Sequence, residues 1–296
     1  MPPPEAAANQ AGGPTARLVF LELLGFNLDS VASAMPVELR TGRPLNFSLA
    51  AANGSGKPGR RSHRPEFIPV PHSVYSVSPA IISECKEMAR SSRQPFAIHV
   101  AEHLDEIEFL QSGQGFCREL LDRLGRWAPA WTPPGKTPVE YLDDLGVLDS
   151  RTLLVHAVHM TEADWALAAA RQCTVVFCPR SNKNLGAGRP WIEKALSIGM
   201  NCALGTDSLA GNTDLDLFAE AAFALDEHPS IDPRKVLEMI TVNPAASLGR
   251  SDDFGAIEPG RKALMLAVEI REGGLEKNLA EAIIQSGKQG AWKWVS

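Results

Sequence analysis

Ile98-His99-Val100-Ala101-Glu102 is an apolar run that ends in a histidine, with a glutamate three residues further on. A strand with that ending sets a metal ligand beside a proton carrier. Two later segments repeat the pattern: Leu153-Leu154-Val155-His156, and Cys202-Ala203-Leu204-Gly205-Thr206-Asp207-Ser208. Each brings a metal-competent or proton-transferring residue to the point where a buried parallel strand would emerge at the C-terminal face of a barrel. Three such endings in chain order read as one hydrolytic metal site.

Working outward, short strand patterns at Phe96–His99, Leu153–His156, Cys173–Cys178 and Asn201–Thr206 alternate with helical patterns at Thr161–Arg171 and Trp191–Gly199. That alternation predicts parallel βα units. Upstream, Arg17–Leu24 (RLVFLELL) reads as a strand, Asp29–Met35 as a short helix, and Pro79–Ser91 as a helix. The prolines of Phe67-Ile68-Pro69-Val70-Pro71-His72 argue against a central strand there. Glu102–Leu124 reads as one helix, and Trp127–Pro138 (WAPAWTPPGKTP), broken by prolines and carrying two tryptophans, suits a lid. Helical patterns follow at Asp216–Leu225 and Pro233–Thr241, then a turn-rich stretch and a strand at Ala263–Glu269. The count is about six βα units, whereas a closed barrel has eight.

The chain of 296 residues is 44% hydrophobic, enough for one large α/β domain with a small appendage. A formal charge of -6 offers no nucleic-acid surface, since the one basic concentration, Lys57–Arg64, lies among Gly, Ser and Pro and reads as a solvated loop. The five cysteines form no CxxC pair, and their odd number points to free thiols and a cytoplasmic protein. No apolar run approaches the roughly 20 residues of a membrane-spanning helix, and Met1–Pro14 has no apolar core of a leader. The expected organisation is a disordered tail over 1–15, a partial barrel over 16–250 and a C-terminal piece over 251–296.

Taken singly, each site residue has a plainer reading. His99 could be a core histidine bonded to a carbonyl, Glu102 a carboxylate at a helix start, and Asp207 a helix N-cap. Their equivalent positions at three strand ends favour a shared site. His156 could ligate the metal or hydrogen-bond water or substrate. Cys178-Pro179-Arg180-Ser181-Asn182 ends another strand with a charged fork and polar donors suited to a polar substrate edge, or else with a turn and an ion-paired arginine. Pro71-His72-Ser73 places a further imidazole at a strand end. His63, His103 and His159 read as surface residues.

Taken together, HVAEH, LLVHAVH, CPRSN, LGTDSLAGNTDLDLFAE, TVNPAASLG and GAIEPGRKA resemble the amidohydrolase superfamily, in its branch of metal-dependent deaminases and chlorohydrolases of amino-heterocycles. The resemblance covers Arg17–Val268. PHSVYSVSP, WTPPGKTPVEYLDDLG and CPRSN look most like members that deaminate aminofutalosine-type nucleosides in menaquinone biosynthesis. The resemblance implies a TIM-type (β/α)8 barrel, His99 and Asp207 as ligands of one Zn²⁺ or Fe²⁺, and Glu102 as the proton shuttle. It further implies that His156 orients or deprotonates the hydrolytic water, and that His72, Arg180 and Ser181 face a small-molecule substrate. Chloro-triazine or guanine-type hydrolysis is the alternative within the superfamily.

The chain departs from the pattern in one respect. The first barrel strand of the family carries a His-x-His pair, and no such pair occurs in this sequence. The chain therefore reads as N-terminally truncated, starting near the third strand, with open sheet edges that would favour a homo-oligomer. A catalytically inactive barrel acting as an interaction module is the reading from a different class. Gly255–Glu269 would be the remnant of an accessory β-sandwich, and Asn278–Ser296 its last turn and strand.

Overall fold

The computed structural model describes residues 18–35, 66–270 and 278–295. The expected tail over 1–15, the basic stretch Lys57–Arg64 and His63 lie outside the described residues. Six parallel strands follow one another in space in chain order: β1 (Leu18–Leu23), β2 (Glu66–Pro71), β3 (Phe96–Val100), β4 (Thr152–His156), β5 (Thr174–Phe177) and β6 (Asn201–Leu204). β1 pairs with β2, and β3 to β6 form a continuous ladder. One bridge, Ser73 to His99, with the His99 N–H donating to His72 O at 2.9 Å, joins the two sheets. Among the described residues the barrel does not close.

The proline-bearing β2 is a strand at the edge of a two-stranded sheet, because its prolines sit where no donor is needed. The register Leu21 to Pro69 and Leu23 to Pro71, with the His72 N–H donating to Leu23 O at 3.1 Å, puts Pro69 and Pro71 at the alternate positions that face away from β1. On that side β2 meets β3 only through the terminal bridge. The missing N–H groups thus explain why the sheet is divided there.

Helices α1 (Val31–Ala34) and α2 (Pro79–Ser92) precede β3. Ser78 caps α2, accepting from the Ile81 N–H with Pro79 in the first turn. The helix expected over 102–124 is two: α3 (Leu104–Ser112) and α4 (Phe116–Arg123). Gly113, at φ 72°, ends the first in the left-handed conformation that glycine adopts without strain. α5 (Pro138–Asp144) and α6 (Glu162–Ala170) both begin with capping boxes, Thr137 with Glu140 and Thr161 with Asp164. α7 (Pro179–Leu185) and α8 (Ile192–Ser197) follow β5 and lead to β6.

Beyond β6 come α9 (Leu217–Glu227), α10 (Pro233–Glu238) and α11 (Val242–Ser247), then an antiparallel pair, β7 (Met265–Val268) and β8 (Trp292–Val295), with α12 (Leu279–Lys288) between them in sequence. Helix α12, capped by Asn278, thus precedes the turn and strand expected at this end, the strand being β8. α12 packs on α9 so closely that a β-carbon on Gly287 would collide with the Phe218 ring. The outer edge of β6 is not bare: the Leu204 N–H donates to Met239 O at 2.9 Å, and Cys202 O accepts from Asn243 Nδ2 at 2.8 Å. The core runs along both faces of the sheet, with Phe26, Ile81, Phe96, Phe109, Leu142, Trp165 and Phe177 fully buried.

Candidate metal centre

The ends of β3, β4 and β6 deliver their side chains to one place. His99, His156 and Asp207 each offer a ligand atom, and these atoms lie within 4.8 Å of one another. The backbone is strained to achieve this. Ala101 (φ 49°), His156 (φ 72°), Ala157 (φ 53°) and Asp207 (φ 58°) are all left-handed although none is glycine. Hydrogen bonds hold the strained turns: the Ala157 N–H donates to Val100 O at 3.1 Å and the His159 N–H to Ala101 O at 2.8 Å. The carboxylate of fully buried Glu106 accepts from the N–H of Ala101 at 2.9 Å and of Glu102 at 3.0 Å.

The donor set fits a divalent cation. His156 has no exposed surface, and its Nε2 has no hydrogen-bond partner, an orphaned lone pair or proton that burial should not leave unsatisfied. Its Nδ1 lies 3.0 Å from Asn182 Nδ2, while Asn182 Oδ1 is also without a partner. Turning the Asn182 amide lets Oδ1 accept from Nδ1–H, which leaves the Nε2 lone pair free for an ion. That is the usual arrangement of a metal-ligating histidine and its outer partner. Two imidazoles and one carboxylate match the three-ligand sets of catalytic zinc.

Asp207 is held from behind by Ser181, whose buried hydroxyl donates to Oδ2, and the Ser208 N–H donates to Oδ1 at 2.7 Å. A β-carbon on Gly211 would come 2.5 Å from Ser181 Oγ and 2.9 Å from Asp207 Oδ2, so the glycine is what lets the two meet. Glu102 is buried, with Oε1 3.7 Å from His156 Nε2 and 3.6 Å from His103 Nε2. Burial raises its carboxyl above the ordinary range against the pull of His103 and His99, and the Asp207 charge adds to the rise. Burial, with the neighbouring His99, pushes His156 down to about 3 and His72 down to about 4, so both are neutral at ordinary pH. His99 goes the other way: burial opposes its charge, but the Glu22 hydrogen bond and the charges of Glu22, Glu102 and Asp207 outweigh it.

His72 joins the cluster, its ring 4.8 Å from that of His99 and its Nδ1 2.8 Å from Ser76 Oγ. Arg180 is turned elsewhere. Its guanidinium forks onto Asp214 at 2.7 and 2.8 Å, donates to Thr213 Oγ1 at 2.7 Å and lies 3.6 Å from buried Glu220, so it braces the segment between Asp207 and α9. His103 stands beside Glu102, and the His159 Nε2–H donates to Ala187 O, 2.7 Å away. Sequence reasoning missed two carboxylates. Glu22, at the end of β1, reaches within 3.3 Å of His99 Nε2, and Glu106 secures the turn that carries Glu102. The signal for Glu22 was a lone acid inside RLVFLELL; for Glu106 it was a second acid one helical turn after Glu102.

Residues 67–291 match the Amidohydrolase family, and the chain belongs to it. It is 38% identical over 174 residues to the aminodeoxyfutalosine deaminase of Deinococcus radiodurans, covering 55% of this chain and 41% of that protein. It is 32% identical over 209 residues to the 5-methylthioadenosine/S-adenosylhomocysteine deaminase of Syntrophobacter fumaroxidans, covering 68% and 43%. The zinc-bound structure of an adenosine deaminase from Xanthomonas campestris superposes with a TM-score of 0.62 at 27% identity, over 76% of this chain and 49% of that one. A zinc-bound atrazine chlorohydrolase from Arthrobacter aurescens, 23% identical with a TM-score of 0.60, shares the fold over 74% of this chain and 46% of its own. The chain thus spans rather less than half the length of the relatives it matches.

Proposed function

We propose that this chain carries the centre of a metal-dependent hydrolase that removes the amino group of an aminopurine nucleoside or related amino-heterocycle, aminofutalosine-like compounds first among them. The observation that carries the reading is Glu102 Oε1, buried 3.7 Å from the orphaned His156 Nε2 beside the three-ligand set. A divalent ion, Zn²⁺ or Fe²⁺ at one per chain, would be held by His99, His156 and Asp207; when bound it supplies a Lewis acid that makes water nucleophilic near neutral pH. Glu102, with its raised affinity for a proton, accepts the proton of the attacking water. It gives that proton to the ring nitrogen and then passes the proton of the newly added hydroxyl to the departing amine, so that water is consumed and ammonia leaves. Asn182 fixes His156, Ser181 fixes Asp207, and Glu106 fixes the turn bearing Glu102. His72, neutral and tied at Nδ1 by Ser76, faces the substrate, and Arg180 borders it by bracing the 208–216 segment. The similarity to the two nucleoside deaminases supports the substrate class.

Five buried free cysteines support a reducing compartment, hence the cytoplasm, and among the described residues no helix is long and apolar enough to cross a membrane. The test is ammonia release from aminofutalosine, adenosine and S-adenosylhomocysteine by metal-loaded protein. Glu102→Gln should lower turnover about 10²–10⁴-fold while metal content stays unchanged. A second reading, an inactive barrel that serves as an interaction module, is favoured by the unclosed set of six strands. Loaded protein that releases no ammonia from any of the three would favour it.

A further inference from the structure

Glu220 is fully buried in the first turn of α9, where a carboxylate is costly unless donors meet its oxygens. Each oxygen has its own donor. Oε1 accepts from Asn212 Nδ2 at 2.6 Å, and Oε2 accepts from the backbone N–H of Arg180 at 3.2 Å. The Arg180 guanidinium does not account for the burial. It stays 3.6 Å away, and its short contacts go to Asp214 and Thr213.

Both donors lead to metal ligands. The Asn212 amide also donates to Thr206 O at 2.8 Å, and the Asn212 N–H donates to Ser208 O at 3.0 Å, so this one residue grips the chain on either side of Asp207. Asp207 needs that grip, because its left-handed backbone (φ 58°) persists only where the surroundings enforce it. On the other side, Arg180 lies in the first turn of α7, directly before two residues of the site. Ser181 donates to Asp207 Oδ2, and Asn182 meets His156 Nδ1 at 3.0 Å. We infer that Glu220 is a positioning residue of the metal centre, setting Asp207 through Asn212, and Ser181 and Asn182 through the start of α7. One buried carboxylate thereby keeps the ligands at the ends of β4 and β6 in a fixed relation. Glu220→Gln isolates this role. The side chain keeps its shape, but its NH₂ must face either Asn212 Nδ2 or the Arg180 N–H, and that grip is lost.

This role rests on the metal-centre reading and is independent of the substrate. The full chain is stripped with a chelator and titrated with zinc against a chromophoric competitor, and with Co²⁺ while its visible absorption is recorded. Glu220→Gln should weaken zinc binding about 10–100-fold, as expected for a group that orients ligands without touching the ion, and should shift the cobalt bands. Asn212→Ala should act in the same direction, and the double variant should lose less than the two single losses combined, since both cut one linkage. Asn212→Ala leaves Glu220 its Arg180 donor, and it decides the matter alone where Glu220→Gln is unfolded by circular dichroism. Ile81→Val, a core change on α2, should lower Tm and leave zinc affinity and cobalt absorption unchanged. Zinc affinity and cobalt absorption equal to wild type in both Asn212→Ala and Glu220→Gln would overturn the role while the metal centre stands. An equal loss of affinity in Ile81→Val would overturn it too, because affinity would then follow stability. Wild type that takes up no zinc would remove the metal centre and this role with it.

Discussion

Asp207 can ligate an ion only if its carboxylate is aimed, and the aim depends on a residue that offers no functional group at all. A methyl at Gly211 would meet both Ser181 Oγ and Asp207 Oδ2 inside van der Waals contact. Gly211→Ala is therefore expected to weaken zinc affinity about 10–100-fold with little loss of thermal stability, as read by competition titration and calorimetry. Glu106 predicts a pH signature. Burial pushes its carboxyl up to about 7, against two backbone N–H donors that favour the anion. Because the folded value lies above the unfolded one, the stability it contributes is fully present below about pH 4.5 and is lost as pH rises through 7, roughly 3 kcal/mol at most. In Glu106→Gln the amide NH₂ opposes one of the two N–H donors, so the wild-type advantage in Tm should be largest near pH 5 and shrink toward pH 8. A constant difference across that range would contradict this account. His99, Glu102, His156 and Asp207 were legible because each terminates or follows an apolar run. Glu106 and Gly211 were not, since a helix-start acid and a loop glycine look the same whether or not a site depends on them.

At the scale of elements, hydrophobic runs marked the strands and helical periodicity marked the helices, and the misreadings came from residues whose meaning is directional. Pro69 and Pro71 are compatible with β2 only because both missing donors face the same side, which depends on register and not on composition. The single helix expected over 102–124 fails at Gly113 and Gly115, both with positive φ. Trp127–Pro138 was expected to be a lid, yet it is anchored. Trp131 stacks on Phe109 with centroids 4.7 Å apart and meets Phe26 edge-on at 5.3 Å, while Arg118 lies 3.7 Å over the Trp127 ring. Trp131→Ala should cost about 2–4 kcal/mol in urea denaturation and open the segment to limited proteolysis. A freely closing lid would show neither effect in the absence of substrate.

At the scale of the whole molecule, the architecture is a run of parallel strands whose C-terminal ends converge, and among the described residues the barrel stays open. Sequence alternation conveyed the six strands and their order, but closure is a long-range property that no local pattern encodes. With no complete ring of ladder hydrogen bonds among the described residues, an ion shared by the ends of β3, β4 and β6 would act as a clamp across strands that otherwise pair with their neighbours. An ion that binds only the folded state stabilises it by about 2.7 kcal/mol at a hundredfold excess over Kd. For a chain of this size, that corresponds to a Tm about 5–10 °C higher with zinc than with chelator. The gain should be local in hydrogen exchange. Amides at the ends of β3, β4 and β6 and in the Thr206–Asp216 segment should slow on zinc addition, whereas β7 and β8, paired only with each other, should not. Equal slowing throughout the chain would mean that zinc acts on global unfolding alone, and no slowing at the three strand ends would remove the clamp from the account of how this open barrel holds its site.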